Sequence, residues 1–146
     1  MEEARGEGMP IDRLETLEEP FISDAGLIQN LMHLKNTGRI GDLPPELIGC
    51  ISVLYSHKGS VRANHYHKTD WHRLFIIKGA VDYYERPIGS KEIPEPVRYV
   101  ENQMFFTPPM VEHAMRFAED TIMVSISKRP RDSESHESDV VRVDFL

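Results

Sequence analysis

The sequence has little cysteine and no long apolar run. Cys50 is the only cysteine, so the chain cannot form an internal disulfide. This favours a reducing compartment and a role for Cys50 as a small, buried apolar residue. No apolar run approaches the roughly 18 residues of a membrane span, and the N-terminus lacks the basic and then apolar pattern of a signal peptide. We therefore expect a cytoplasmic protein with no membrane partner.

Basic residues are also in deficit. Lys and Arg number 17 against 24 Asp and Glu, which gives a net charge of −7. Because binding to nucleic acid is driven by clustered Lys and Arg side chains, nucleic acid is not an expected partner. The acidic residues are partly concentrated near the N-terminus, which is typical of a solvated tail.

The 146 residues suit one domain with an N-terminal extension. Residues 1–20 are polar and acidic, and we expect them to be flexible. Residues 21–146 are predicted to form a single all-β domain, because short β-type runs alternate there with Gly, Pro and Asp turns. Many short strands with no sustained helical period indicate a sandwich or a barrel.

Three segments have distinctive local patterns. Asp24-Ala25-Gly26 lies between two short apolar runs and predicts a small hairpin. Residues 128–139, KRPRDSESHESD, are typical of a charged and mobile connector. Residues 140–146 alternate apolar and charged side chains, which predicts a half-buried strand that ties the C-terminus into a sheet.

Histidines are concentrated in one stretch, GSVRANHYHKTDWHRLFIIKG, residues 59–79. On a strand His65 and His67 face the same side, about 6–7 Å apart. His72 begins the next apolar run and returns beside them if it faces inward, and His113 follows a strand and a Pro-Pro bend. Four neutral imidazoles suit one divalent transition metal, Fe, Mn, Ni, Cu or Zn, whereas Ca and Mg prefer oxygen ligands.

The spacing of these residues resembles the first motif of the cupins. Gly59, His65-x-His67, His72 and Gly79 match its glycine, HxH, glutamate and glycine positions, and the stretch from Asn102 through Pro108 to His113 resembles its second motif. The resemblance covers roughly residues 50–127. It implies a cupin-type double-stranded β-helix, that is, a jelly-roll barrel, with His65, His67, His72 and His113 as metal ligands.

Two departures from the cupin motifs have consequences. His72 stands where the family usually has glutamate, and Met110 replaces the usual glycine of the second motif. A minority of small cupins use an all-histidine set, so metal binding remains expected. Neutral ligands leave the charge of a divalent ion uncompensated, and such a site favours an anionic or enolate-like ligand. His72 is either a fourth ligand or a base.

Other side chains are weaker candidates for the site. Asp70 is a turn residue or an acceptor for an imidazole N–H. Tyr83 and Tyr84 alternate, so one of them faces inward, as core or as an acid. Arg62 and Arg73 either meet an anionic substrate or face solvent. Three further histidines lie in loop-like contexts and are read as surface residues: His33, His57 and His136.

Three functions from different classes are compatible with this pattern. The first is a metal-dependent enzyme, of oxygenase or isomerase type, acting on a small molecule. The second is a metal-independent nucleotide-sugar epimerase or ketoisomerase, since FISDAGLIQNL and HYHKTDWH resemble segments of those cupins. There His65 or His67 would be the base, a tyrosine the acid and Arg62 a phosphate contact. The third is a non-catalytic binding or sensing module.

The quaternary structure expected from the resemblance is a homodimer. Small barrels of this kind commonly associate through sheet faces or terminal strands, and the strand predicted at residues 140–146 suits such a contact. Edge strands also need to be covered.

Overall fold

The computed structural model describes residues 14–17, 19, 21–23, 26–28, 48–129 and 133–146. Within these residues the chain is almost entirely β. The elements are β1 (Leu14–Glu15), β2 (Phe21–Ser23), β3 (Gly26–Ile28), β4 (Cys50–Ser56), β5 (Val61–His67), β6 (His72–Lys78), β7 (Ala80–Arg86), β8 (Val97–Val100), β9 (Met104–Thr107), β10 (Glu112–Phe117), β11 (Thr121–Ser127), α1 (Ser133–Asp139) and β12 (Val140–Arg142).

The strands form two five-stranded antiparallel sheets. The first has the order β1-β9-β6-β11-β4 and the second the order β12-β5-β10-β7-β8. Strands that follow one another in sequence therefore mostly lie in different sheets or apart in one sheet, as in a jelly roll. The predicted hairpin is confirmed, since β2 pairs with β3 as a separate two-stranded unit. The all-β prediction is confirmed as well.

The main core lies between the two sheets. Leu74, Ile76, Phe105 and Met123 from the first sheet meet Val81, Tyr83, Tyr99, Met115 and Phe117 from the second. Alternation along each strand produces this arrangement, because every second side chain of β6, β7 and β10 points to the same interior. The rings of Tyr99 and Phe105 stack across the sheets at 4.2 Å between centroids.

The C-terminal residues cover the outer face of the second sheet. Phe145 is 4 % exposed and forms a small second cluster with Tyr84 and Ala114. The strand predicted at residues 140–146 is shorter than expected, because β12 ends at Arg142. The connector predicted at residues 128–139 is wrong in part, because α1 occupies Ser133–Asp139. Seven residues are too few to show a helical period in the sequence.

Several expectations concern residues outside the described part of the chain. The predicted flexible extension, residues 1–20, is described only at positions 14–17 and 19, where β1 pairs with β9. His33 and the side chain of His136 also lie outside it.

Cys50 is only partly buried, contrary to expectation. No helix within the described residues is long and apolar enough to cross a bilayer.

An apolar stripe remains exposed on β4, an edge strand of the first sheet. Ile51, Val53 and Tyr55 on its outer face are 66, 51 and 70 % exposed. Uncharged edge strands are surfaces at which chains can pair. The homodimer stays a prediction, and this exposed stripe of β4 is its candidate contact surface.

The turn from β6 to β7 depends on a glycine. Gly79 has a φ of +107°, and a Cβ there would overlap Thr121 Oγ1 and lie 2.6 Å from the carbonyl oxygen of Asp120. Gly59 also has a positive φ, +84°, but nothing lies within 4 Å of its Cβ position. The two glycines therefore share the backbone requirement and differ in the space available to a side chain.

We expect Gly79→Ala to lower the free energy of unfolding by about 2–4 kcal/mol, since it adds a steric overlap to an unfavourable φ. The matched control, Gly59→Ala, meets only the backbone cost of about 1–2 kcal/mol. Urea denaturation followed by tryptophan fluorescence measures both. Equal losses in the two variants would show that the approach of Thr121 and Asp120 to this turn is not tight.

Candidate functional site

Three of the four predicted histidines converge in the interior of the barrel. His65 and His67 lie two residues apart on β5 and face the same side, and His113 of β10 is the register partner of His65. One ring nitrogen from each of the three lies within 4.8 Å of the other two. The ring centroid of His65 is 4.6 Å from that of His67 and 4.9 Å from that of His113.

The cluster adjoins a cavity of about 290 Å³. The three histidines line it together with Arg62, Arg142 and apolar side chains that include Leu54, Leu74 and Met115. Polar and apolar side chains therefore share the wall, and a cavity in which titratable groups lie beside apolar surface is a candidate small-molecule site. His65, His67 and His113 are buried residues, 9, 1 and 2 % exposed.

Burial keeps the imidazoles of His67 and His113 uncharged. It lowers the pKa of His67 to about 4, assisted by His72, although Asp70 and Asp139 pull that pKa upward. Burial likewise lowers the pKa of His113 to about 3, with further contributions from His67 and His72. A neutral imidazole offers a lone pair, so at neutral pH these rings can accept a proton or bind a metal.

His67 is held by a carboxylate from the C-terminal segment. Its Nδ1 lies 3.2 Å from Oδ2 of Asp139. The carboxylate of Asp139 also accepts hydrogen bonds from the Thr69 backbone at 2.9 Å, the Thr69 hydroxyl at 2.7 Å and the Asp70 backbone at 3.1 Å. Burial would raise the pKa of Asp139, but these bonds outweigh it and lower that pKa. Asp139 therefore remains ionised beside the cluster.

His72 faces inward as predicted, but it is directed to different partners. Its Nε2 lies 3.3 Å from Asp70 Oδ2 and its Nδ1 lies 3.5 Å from the Thr107 hydroxyl. Its ring centroid is 4.8 Å from that of His67, and its nitrogens are not in the three-histidine set. Each ring nitrogen thus lies near a polar protein atom outside the three-histidine set, and this placement favours a role for His72 other than that of a fourth ligand.

Asp70 combines the two expected roles. Its Oδ1 accepts backbone hydrogen bonds from Trp71 at 2.9 Å and Arg129 at 3.0 Å, as a turn residue does, while Oδ2 meets His72. His67, Asp70 and Asp139 also place ligand atoms within 4.8 Å of one another. Every carboxylate oxygen in this second group already meets a protein donor, so the group is a support for the histidines.

The two tyrosines point in opposite directions. Tyr83 faces the interior, 1 % exposed, and its hydroxyl donates a 2.6 Å hydrogen bond to Glu85. The centroid of its ring is 6.2 Å from that of His113. Tyr84 faces the C-terminal segment and packs against Phe145. The structure therefore brings Tyr83, and not Tyr84, near the histidines.

The two arginines are separated in the same way. Arg62 lines the cavity, with its Nε donating to the Ser56 hydroxyl at 2.8 Å. Arg73 lies on the outer face of β6, where it pairs with Glu15 at 2.9 Å and its guanidinium lies over the ring of Trp71. The structure does not bring Arg73 to the site. Adjacent residues on a strand face opposite sides, so Arg73 faces outward because His72 faces inward.

Glu85 and Asp139 were not among the residues predicted for the site. Glu85 is buried and is the register partner of His113 on β7. The sequence carried a signal for Glu85, since it lies two residues after Tyr83 and therefore shares its face. Asp139 had no such signal, because it lies 72 residues from His67 within a charged stretch.

Two residues that replace glycines of the second cupin motif have left-handed backbone conformations. Asn102 and Met110, which stand at two glycine positions of the second motif, have φ values of +69° and +60°. Asparagine enters this left-handed region readily, whereas methionine does so at a cost. The backbone N–H of Met110 donates a 2.7 Å hydrogen bond to the carbonyl of His67, which places this turn beside the cluster.

No protein-family model and no curated protein sequence matches the chain. Solved structures do. The dTDP sugar isomerase from Desulfovibrio desulfuricans G20 aligns with 90 % of this chain and 83 % of its own, at 14 % identity and a TM-score of 0.65. The dTDP-4-dehydrorhamnose 3,5-epimerase from Sulfolobus tokodaii aligns with 86 % of this chain and 79 % of its own, at 19 % identity and a TM-score of 0.60.

A third similar structure contains a ligand. A histidine-to-asparagine mutant of the 3,4-ketoisomerase QdtA from Thermoanaerobacterium thermosaccharolyticum, in complex with TDP-4-keto-6-deoxyglucose, aligns with 90 % of this chain and 84 % of its own. The identity is 13 % and the TM-score 0.61. The chain has the cupin-type jelly-roll fold. At these identities the likeness establishes the fold, and the function has to be argued from the site.

Proposed function

We propose that this cupin-fold chain is an isomerase or epimerase that moves a proton next to the carbonyl of a keto sugar carried on a nucleotide. The observation that carries the proposal is the set of buried, neutral imidazoles beside a cavity with an arginine in its wall. Three proteins of the same fold are named as a dTDP sugar isomerase, a 3,5-epimerase and a 3,4-ketoisomerase. Their names support this substrate class.

His67 is the proposed base. Its Nδ1 lies on the Asp139 carboxylate, so Nε2 is the nitrogen that would take a proton from the carbon next to a carbonyl. An adjacent carboxylate stabilises the imidazolium that forms and fixes the ring. Tyr83, hydrogen-bonded to the Glu85 carboxylate, is the proposed acid that protonates the carbonyl oxygen. Arg62 is the proposed contact for a phosphate, since it lines the same cavity.

A second candidate, a metal-dependent enzyme on a small anionic molecule, is favoured by the spacing of the imidazole nitrogens. Three imidazole nitrogens within 4.8 Å of one another fit an ion such as Zn or Fe, so His65, His67 and His113 would hold it. When bound, the ion would supply Lewis-acid chemistry at a substrate oxygen. His72, held by Asp70 and outside the three ligands, would then be the group that moves a proton.

The proton-transfer proposal predicts that solvent deuterium enters the substrate. We expect purified protein incubated with TDP-4-keto-6-deoxyglucose in D2O to lose the proton signal next to the carbonyl, as followed by proton NMR. His67→Asn should slow this exchange by about 100-fold or more, the usual effect of removing a general base. His57→Asn, an exposed histidine, is the matched control and should leave the rate unchanged.

No exchange above the rate without enzyme, at protein concentrations equal to the substrate, would overturn the proton-transfer proposal. Binding of the nucleotide sugar without exchange would favour the non-catalytic binding module instead.

The metal-dependent candidate predicts about one transition metal ion per chain. We expect elemental analysis of untagged protein by plasma mass spectrometry to find that ion, and the double variant His65→Ala/His67→Ala to lose it, because two of three ligands are removed. His57→Ala should retain the ion. A metal-free wild-type protein after incubation with divalent ions would exclude this candidate.

A further inference from the structure

We propose that Asn64 is a positioning residue for Arg62. Together with Ala63 it forms a bulge in β5 that turns Arg62 into the cavity, and contacts with the C-terminal residues Val143 and Leu146 hold this bulge in place. The inference rests on the proposed function only where that function assigns a phosphate to Arg62. It adds the backbone device that brings this side chain to the site.

The bulge consists of one extra residue in β5. On β10, His113 pairs with His65 and the next residue, Ala114, pairs with Ala63, so the register passes over Asn64. Ala63 and Asn64 have φ values of +75° and +55°. An extra residue with this backbone conformation bends a strand and changes the direction of the side chains on one side of it.

The bulge decides which face of the sheet Arg62 occupies. Side chains alternate along a regular strand, so a residue three positions before His65 would face away from the cavity. With the register shifted by one residue, Arg62 pairs with Met115 instead, which lies two residues after His113. His113 and Met115 both line the cavity, and Arg62 lines it with them.

Arg62 also connects the two sheets. Its backbone belongs to β5 of the second sheet, whereas its side chain reaches β4 of the first sheet. There Nε donates to the Ser56 hydroxyl at 2.8 Å, and Nη2 donates to the carbonyl of Tyr55 at 3.0 Å. These bonds fix the plane of the guanidinium and leave further N–H groups to meet a ligand. A fixed guanidinium is suited to a phosphate, because its planar donors match two phosphate oxygens.

The backbone of the bulge is unfavourable by itself. Asparagine enters the left-handed region more readily than most residues with a side chain, whereas alanine does so at a steric cost. Two consecutive residues of this kind persist only where the surrounding structure over-determines them. The contacts of Ala63 and Asn64 with the rest of the chain therefore have to stabilise the bulge.

Three hydrogen bonds with the C-terminal residues provide this stabilisation. The carbonyl of Asn64 accepts from the backbone N–H of Val143 at 2.9 Å. Oδ1 of Asn64 accepts from the N–H of Leu146 at 3.1 Å, and its Nδ2 donates to the backbone oxygen of Leu146 at 3.3 Å. Phe145, which lies between these two residues in sequence, is buried against Tyr84 and Ala114. The partners of Asn64 are thus anchored on the outer face of the second sheet.

The test replaces Asn64 with valine, because a β-branched side chain does not tolerate a positive φ. Asn102→Val is the matched control. Asn102 has a φ of +69° and lies in the turn between β8 and β9, outside the lining of the cavity. Arg62→Met and the double variant Arg62→Met/Asn64→Val complete a double-mutant cycle.

Two measurements are made on these proteins. Calorimetry gives the affinity for TDP, which is the probe for the phosphate contact. Nitrogen-15 NMR of the ligand-free proteins gives the rate at which the Nε–H of Arg62 exchanges with solvent. This N–H is hydrogen-bonded to the buried Ser56, so its exchange reports whether Arg62 keeps its place.

We expect Asn64→Val to bind TDP about as weakly as Arg62→Met, about 10–100-fold below wild type, the usual effect of losing hydrogen bonds to a charged group. The double variant should bind no more weakly than Arg62→Met. Exchange of the Arg62 Nε–H should be fast in Asn64→Val and slow in wild type and Asn102→Val. Asn102→Val should also keep the wild-type affinity, although it pays the same backbone cost. A merely structural role of Asn64 would not produce this dependence on Arg62.

Slow exchange of the Arg62 Nε–H in a folded Asn64→Val would overturn the inference, and so would additive losses of TDP affinity in the double variant. An unchanged affinity in Arg62→Met, or a wild type that does not bind TDP, would remove the phosphate contact from the proposed function. The exchange rate would still decide whether Asn64 positions Arg62.

If Asn64→Val does not fold, as judged by circular dichroism, Asn64→Gly replaces it. Glycine keeps the positive φ but loses both side-chain bonds to Leu146. We expect faster exchange of the Arg62 Nε–H and a loss of TDP affinity of about 2–10-fold, the equivalent of one hydrogen bond. Wild-type exchange in Asn64→Gly would contradict the inference.

Discussion

The site depends on keeping the imidazole rings of His67 and His113 uncharged inside the barrel. Rings of His65, His67 and His113 whose centroids lie 4.6–5.7 Å apart cannot all carry a proton, because each added charge would be buried and would repel the next. The pairing of β5 with β10 therefore assembles the cluster, and burial keeps its imidazoles able to accept a proton or bind a metal. The pKa values of His67 and His113 are lowered as a result. Because the rings stay neutral, each keeps a nitrogen lone pair that can accept a proton or bind a metal.

Two carboxylates contact histidines of the site but do not belong to the three-histidine cluster. Asp70 and Asp139 lie beside His72 and His67. Burial raises the pKa of both carboxyls, but His72 beside Asp70 and the Thr69 hydroxyl on Asp139, together with backbone N–H groups, lower the pKa values and keep both carboxylates ionised. A buried polar network of this kind is stable only if its members are all satisfied. The cupin barrel supplies the sheet register, and the C-terminal segment supplies Asp139. The proposed proton transfer and the proposed metal site both depend on the same support, which is why they compete for the same residues.

Much of the fold and part of the site could be predicted from the sequence. Alternation on β5 correctly places His65 and His67 on one face, and short strands between turn residues indicate a sandwich or a barrel. The same alternation puts Arg62, three residues before His65, on the opposite face. A bulge reverses this, because Ala63 and Asn64 have positive φ values and Arg62 becomes the register partner of Met115, two residues from His113. Asp139 had no local signal at all, since a tertiary contact alone brings it to His67.

The most direct test of the account is a pH titration of the histidine signals by carbon-13 and nitrogen-15 NMR in the presence of EDTA. The account predicts that His67 and His113 stay neutral down to pH 5, with the pKa of His67 about 4 and that of His113 about 3. The exposed His57 identifies the response of a solvated ring in the same sample. Protonation of His67 or His113 near pH 6.5, in protein that remains folded, would contradict the claim that buried neutral imidazoles form the site.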